Sequence, residues 1–148
     1  MKGTKMAYPF PSEEWLVALM DVLNSDSRYA EVAKNWEGDM VVVIEPNPKE
    51  EDPRLPITLY LDLWHGKCRK VRVIDPAQEE MPGAAFVLRS RIKDIMRIFQ
   101  GDLDPMQAML TRRLQVKGNL GYMLRNVPTV LDFVRCCREV EIAAEDES

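Results

Sequence analysis

The sequence predicts an α+β fold: one five-stranded, mostly antiparallel sheet covered by about six helices. Two observations carry this reading. Two helical apolar stripes open the chain and are followed by three strand-like runs, after which a fourth strand, two helices, a fifth strand and two helices complete it. The size is also right: 148 residues, 46% apolar and 30% charged, make one domain spanning 1–148. A domain of this length buries about 68–70% of the surface its unfolded chain exposes, so neither a metal nor a disulfide is needed to hold it.

The first helix is expected over 13–23, where Trp15, Leu16, Leu19, Met20 and Leu23 recur at helical spacing behind Ser12 as N-cap. Glu13 and Glu14 sit well against the positive end of its dipole. The second runs over about 27–36, capped by Ser25 or Asp26, with a stripe of Tyr29, Val32, Ala33 and Trp36 and with Gly38 as the stop. Met40–Ile44 is apolar on both faces and reads as a buried strand. Residues 46–56 hold four prolines and five charges and must be an exposed loop.

Ile57–Trp64 alternates, with Ile57, Leu59, Leu61 and Leu63 on one face. His65-Gly66 turns the chain into a return strand, Lys67–Ile74. A plain two-residue loop there would set Leu59 and Leu61 opposite Arg72 and Lys70. An odd-length loop, with Gly66 at positive φ in a bulge, would instead put them with Val73 and Val71 and is the expectation. A polar loop over 75–83 leads to a fourth strand, Ala84–Leu88.

The third helix spans Ser90 to about Gln100, with Ile92, Ile95, Met96 and Phe99 inward and Gly101 just past its end. Asp104-Pro105 opens the fourth helix, with Asp104 as N-cap, Pro105 at the first helical position and Gln107 three residues on. Leu114 and Val116 alternate with Arg113, Gln115 and Lys117 in a fifth strand. Leu120–Arg125 is a short helix. The last helix runs from Pro128 to about Arg138 behind Asn126 or Val127, on a stripe of Val130, Leu131, Val134 and Cys137. The tail from Glu139 to Ser148 is acidic and loose at its end.

Several function classes fall away on composition. Net charge is −4, with no basic stripe of the kind nucleic acid demands. The longest apolar runs, Trp15–Met20 and Met40–Ile44, fall far below the ~20 residues that span a bilayer. Met1–Phe10 carries two lysines without an apolar segment behind them, so no secretory signal is expected. The three cysteines are odd in number, and the adjacent pair Cys136-Cys137 points about 100° apart on a helix. All three are expected as reduced thiols in a cytoplasmic compartment.

Candidate chemistry is sparse. His65 is the one histidine, so any nucleophile–histidine pair must use it, yet a place beside Gly66 between two strands is explained by turn duty. Cys136-Cys137 lacks zinc or redox spacing. Asp102 and Asp104 flank a helix start, where capping accounts for them. No phosphate-cradling glycine pattern is present. Arg112, Arg113, Lys117 and Arg125 form either a solvated strand end or a local basic patch beside an acidic head group. The nine methionines are either ordinary core filling or an adaptable wall that reshapes around apolar ligands.

The stretch Phe99-Gln100-Gly101-Asp102-Leu103-Asp104-Pro105-Met106-Gln107-Ala108-Met109-Leu110, followed by Arg113-Leu114-Gln115-Val116-Lys117-Gly118-Asn119, resembles the signature of the sterol-carrier, or non-specific lipid-transfer, domain family. The order of elements upstream is similar as well, and the resemblance covers about 12–140, leaving 141–148 as the acidic tail. It implies an apolar tunnel between sheet and helices that takes sterols, fatty acids or acyl-CoA, and no cofactor. Two departures stand out. The chain ends Glu145-Asp146-Glu147-Ser148 rather than in a Ser-Lys-Leu peroxisomal address, and the resemblance does not match the loop 46–56.

The function expected is therefore binding or transfer of an apolar small molecule without catalysis, by a monomer or homodimer. The alternative is a non-catalytic interaction or regulatory module with a closed pocket. An enzyme is least expected, for want of titratable groups. The pocket should lie between the third, fourth, short and last helices, whose stripes are Met-rich. Its candidate walls are Ile95, Phe99, Met106, Met109, Leu120, Met123, Leu131 and Val134.

Overall fold

Strand patterning and helical patterning separate in space into a sheet and a helical layer. In the computed structural model, which describes residues 6–144, the elements in chain order are β1 (Ala7–Tyr8), α1 (Glu13–Ser25), α2 (Ser27–Val32), β2 (Met40–Glu45), β3 (Ile57–Trp64), β4 (Lys67–Ile74), β5 (Phe86–Arg91), α3 (Ile92–Gln100), α4 (Pro105–Leu110), β6 (Leu114–Gly118), α5 (Leu120–Arg125), α6 (Val127–Glu139) and β7 (Glu141–Ile142). The main sheet has five strands in the order β4-β3-β2-β5-β6. Only β2 and β5 run parallel, from Met40 opposite Phe86 to Glu45 opposite Arg91; the other pairs are antiparallel. The strand apolar on both faces, β2, takes the centre, and Met40, Val41, Val43 and Ile44 are all buried.

The register puts one apolar face under the helices. Val42 lies opposite Leu59 on one side and Leu88 on the other, and Leu59, Leu61 and Leu63 are 2–3% exposed. The β3–β4 hairpin reaches the expected pairing by a different device. Its loop is the plain two-residue one, His65-Gly66, with φ of 49° and 78°, which closes Trp64 against Lys67. Both positive φ values match a type I′ turn. Gly66 is also confined beneath α2, where a Cβ would meet the Ala30 carbonyl oxygen at 2.7 Å. The odd residue sits further along: the register shifts between Asp62 and Leu63, so that Leu61 faces Val71 and Leu59 faces Val73. Burial of one face demanded a one-residue slip, and the bulge supplied it outside the turn.

Other boundaries moved for tertiary reasons. The second helix stops at Val32 rather than Trp36: beyond Ala33 the amides of Lys34 and Trp36 reach back only three residues, to Glu31 and Ala33, and the Trp36 carbonyl accepts from the His65 amide at 2.7 Å. The fourth strand starts at Phe86 and runs to Arg91, following the length of β2; at its start Asp39 accepts from the Ala85 amide through Oδ1 and from the Phe86 amide through its carbonyl. Ser90 is therefore strand, and α3 begins at Ile92 without a side-chain cap from Arg91. Asn47, from the proline-rich loop, supplies its Oδ1 to the Lys93 amide at 3.0 Å instead. By contrast Ser12, Asp104 and Asn119 cap α1, α4 and α5 through their own side chains.

The two chain ends meet in a ribbon the sequence did not suggest. Ala7 and Tyr8 pair in parallel with Glu141 and Ile142, and Tyr8 accepts from the Ala143 amide. The tail is thus tied down as far as Ile142; the expectation of a loose end concerns residues 145–148, outside those described. Among the described residues no helix is long and apolar enough to cross a membrane.

Candidate functional site

Between the apolar sheet face and the helices lies a cavity of about 120 Å³ into which no polar atom faces. Its floor is the leucine face of β3 with Met40 and Val42 of β2 and Leu88 of β5. Its walls are Trp15 and Leu19 of α1, Ile95, Ile98 and Phe99 of α3, Met109 of α4, Met123 of α5 and Val130, Phe133, Val134 and Cys137 of α6. Helical spacing explains each wall: Ile95, Ile98 and Phe99 share a face, as do Val130, Phe133, Val134 and Cys137.

Of the eight residues expected as walls, Ile95, Phe99, Met109, Met123 and Val134 come together on this cavity. Met106, Leu120 and Leu131 do not. Leu120 is 47% and Leu131 44% exposed. On α4 it is Pro105 and Met109, one turn apart, that face the cavity, and Met106 is half-buried to one side. On α6 the step of about 100° per residue carries Leu131 off the inner face that Val130 occupies. Six residues of α5 leave room for one inward side chain, Met123, while Tyr122 uses its hydroxyl to accept from the Glu37 amide and donate to the Asn35 carbonyl. Sequence reading also missed the sheet floor and α1, whose leucines and tryptophan carry the same pattern as any buried core.

Phe99 closes one side of the cavity. Its ring stacks on Trp15 at 5.6 Å and meets Phe10 edge-on at 5.4 Å. Phe99 and Cys137 also border an open groove of mixed polarity formed by α3, the proline-rich loop and the terminal ribbon, so this layer of side chains separates cavity from groove. The Trp15 Nε1–H is buried and has no acceptor among the described residues.

Other groups near the walls are held by hydrogen bonds or kept neutral by burial. Thr129 donates to the Val32 carbonyl. Tyr29 is buried, which pushes its phenol pKa well up. Burial drives the thiols of Cys68 and Cys136 up to about 12 and that of Cys137 well above its ordinary value, away from the nucleophilic thiolate. His65 stacks on Trp64 and pairs with Glu37 at 2.5 Å, half-exposed at the hairpin tip. Asp26, Asp132 and Cys136 bring ligand atoms within 4.8 Å of one another. The Arg135 guanidinium already donates to both carboxylates at 2.7–3.2 Å, so a cation there would meet a fixed positive charge. The Arg135 contacts also hold the Asp26 carboxyl below its ordinary pKa.

The chain matches the model of the SCP-2 sterol transfer family over residues 19–130. A crystal structure described as sterol carrier protein 2 is 28% identical, with a TM-score of 0.75, and the match covers 87% of this chain and 97% of that one. The solution structure of a conserved hypothetical protein of Thermus thermophilus, described as possibly a sterol carrier protein, is 27% identical with a TM-score of 0.77 and 97% of both chains covered. Sterol carrier protein 2 of Yarrowia lipolytica in its apo form shares the fold at 18% identity and a TM-score of 0.55, over 90% of this chain and 96% of that one. No curated protein sequence matches the chain.

Proposed function

This chain belongs to the SCP-2 sterol transfer family, and on that footing we propose that it takes up one apolar ligand, a fatty acid, acyl-CoA or sterol, and carries it without chemistry. The observation that supports this best is the cavity between sheet and helices, lined on every side by apolar groups. The ligand walls are Ile95, Phe99, Met109, Met123 and Val134, together with Trp15, Val42 and Leu88 from the sheet side and α1. Absence of catalysis is supported by the raised, buried thiols and by the place of His65 in a turn. The three free, buried cysteines support a reducing, cytoplasmic setting.

At about 120 Å³ the cavity is smaller than the roughly 300–1,000 Å³ of ordinary ligand pockets. A lipid must enlarge it. Met109 and Met123, unbranched and with three rotatable bonds each, can move aside without breaking backbone hydrogen bonds. Selectivity should be weak, since apolar walls discriminate by only ~1–3 kcal/mol per methylene. The same small volume favours a second reading, an interaction module whose pocket stays shut.

A titration with fluorescent fatty acid separates the two, backed by native mass spectrometry for lipid retained through gentle purification. We expect micromolar uptake, and about tenfold weaker uptake by a folded Met109→Trp variant, whose indole fills the space the ligand needs. If the wild-type protein takes up no fatty acid, sterol or acyl-CoA at micromolar levels, the interaction-module reading replaces the carrier reading.

A further inference from the structure

We propose that the groove beside α3 receives the anionic end of an amphipathic ligand, with Arg97 as its counter-ion, while the acyl chain lies in the cavity. Resting on the carrier reading, this names the class carried: acyl chains with a carboxylate or phosphate head, rather than sterols. No polar atom faces the cavity. A charged head buried there would have no partner, at a large desolvation cost. The head must leave while the chain stays, and the boundary with the groove is one layer of side chains, Phe99 and Cys137, which line both.

The cations of the groove differ in what they hold. The half-buried cationic side chains among the described residues are Arg72, Arg97 and Arg135. Arg72 pairs with Glu79, and Arg135 with Asp26 and Asp132. Arg97 lines the groove and has no carboxylate partner among the described residues. A partly desolvated guanidinium without a counter-ion favours an arriving carboxylate or phosphate, which it grips through two parallel N–H donors. Lys93 lies one turn earlier on α3 and lines the same groove. The other two cations are committed, Arg54 to Asp52 and the Phe10 carbonyl, Arg138 to the carbonyls of Ile98 and Phe99. Of the carboxylates there, Asp52 is held by Arg54 and Glu50 accepts from Asn47, while Glu51 and Glu141 are exposed.

A second observation falls in the same boundary. Trp15 stacks on Phe99, and its indole N–H is buried without an acceptor among the described residues. A ligand oxygen at this layer supplies the acceptor that the fold does not. Phe99, half-buried in the last turn of α3, is the side chain that must swing. With the head at Arg97 the chain runs inward past Phe99 toward Met109 and Met123, which can yield. At about 1420 Å³ the groove has room for either head.

The test measures equilibrium uptake by the full chain of radiolabelled palmitate, palmitoyl-CoA and hexadecanol, the last having the same chain without the charge. We expect at least one anionic ligand to bind about tenfold more tightly than hexadecanol. Arg97→Gln should erase that margin and leave hexadecanol within about twofold, and Arg97→Lys should keep part of it. Lys70→Gln, which removes an exposed cation from β4, should change none of the three. Circular dichroism checks that the variants fold, and retained hexadecanol uptake shows an intact cavity. Whichever anionic ligand loses more in Arg97→Gln identifies the head as carboxylate or phosphate. The head site is refuted if Arg97→Gln moves neither anionic ligand, or weakens hexadecanol as much. Uptake of all three ligands alike, unmoved by Arg97→Gln, overturns the head site and keeps the carrier; uptake of none overturns the carrier reading itself.

Discussion

The helical layer has two flanks held by different forces. On one flank α1, α2 and α6 are pinned by charge: Arg135 donates to Asp132 within α6 and to Asp26 at the α1–α2 junction, Arg28 approaches Asp132 at 3.3 Å, and Thr129 reaches the Val32 carbonyl. On the other flank α4 and α5, six residues each, lie against the sheet edge mainly through apolar contacts. Tyr122 gives α5 a polar tie to the segment between α2 and β2, and α4 has only hydrogen bonds within its own turns among the described residues. Directional bonds resist displacement while apolar contacts slide, so a cavity that must grow to admit a lipid should grow toward α4 and α5.

Hydrogen exchange tests this contrast most directly. Amides of α5 should exchange about 100-fold or more faster than those of β2 and β3, with α6 closer to the strands. Equal protection of α5 and α6 would remove the distinction. The next effect is on the pinned flank. Asp132→Ala leaves Arg135 and Arg28 without a buried partner, since Asp132 is only 4% exposed. Chemical denaturation should show a loss of about 2 kcal/mol, with fatty-acid uptake little changed if loading belongs to the other side.

A cap substitution probes the loose flank. The Asp104 carboxylate accepts from the Met106 amide at 2.8 Å, and Asp104→Ala should cost about 1 kcal/mol. That loss should show as faster exchange confined to α4 and as quicker ligand uptake. The smallest effect is on acid stability. Asp26 is held below the ordinary carboxylate pKa by Arg135. Its contribution is therefore present above the unfolded value and lost as pH falls through the folded one, below about pH 4. Asp26→Asn should flatten that acid limb in pH-dependent unfolding, and an unchanged limb would show that Arg135 does not need Asp26.

The division between what was legible and what was not follows range. Ser12, Asp26 and Asp104 cap the helices that follow them, because a cap acts over three residues and is written in those residues. The α3 cap was illegible, because Asn47 comes from 46 residues away in sequence. The hairpin shows both sides of this. Alternation in β3 and β4 required a one-residue slip to keep one face buried, and that was readable; whether the turn or the strand absorbed it was not. The same holds for the walls. Ile95 and Phe99 lie in the middle of α3's apolar stripe and face the cavity, whereas Leu120 and Leu131 sit on helix faces whose rotation only the neighbours set.

From the chain alone came the order of elements, the apolar face of the sheet, the local caps and, through the stretch Phe99–Asn119, the family. These rest on periodicity and short-range hydrogen bonding, which the chain carries locally. Folding in three dimensions settled the terminal ribbon, the site of the bulge, the floor contributed by β2, β3 and β5, and which side of α5 and α6 meets the cavity. Those depend on how each short helix is rotated against its partners, and a six-residue helix with apolar groups on two sides has no rotation of its own until packing selects one.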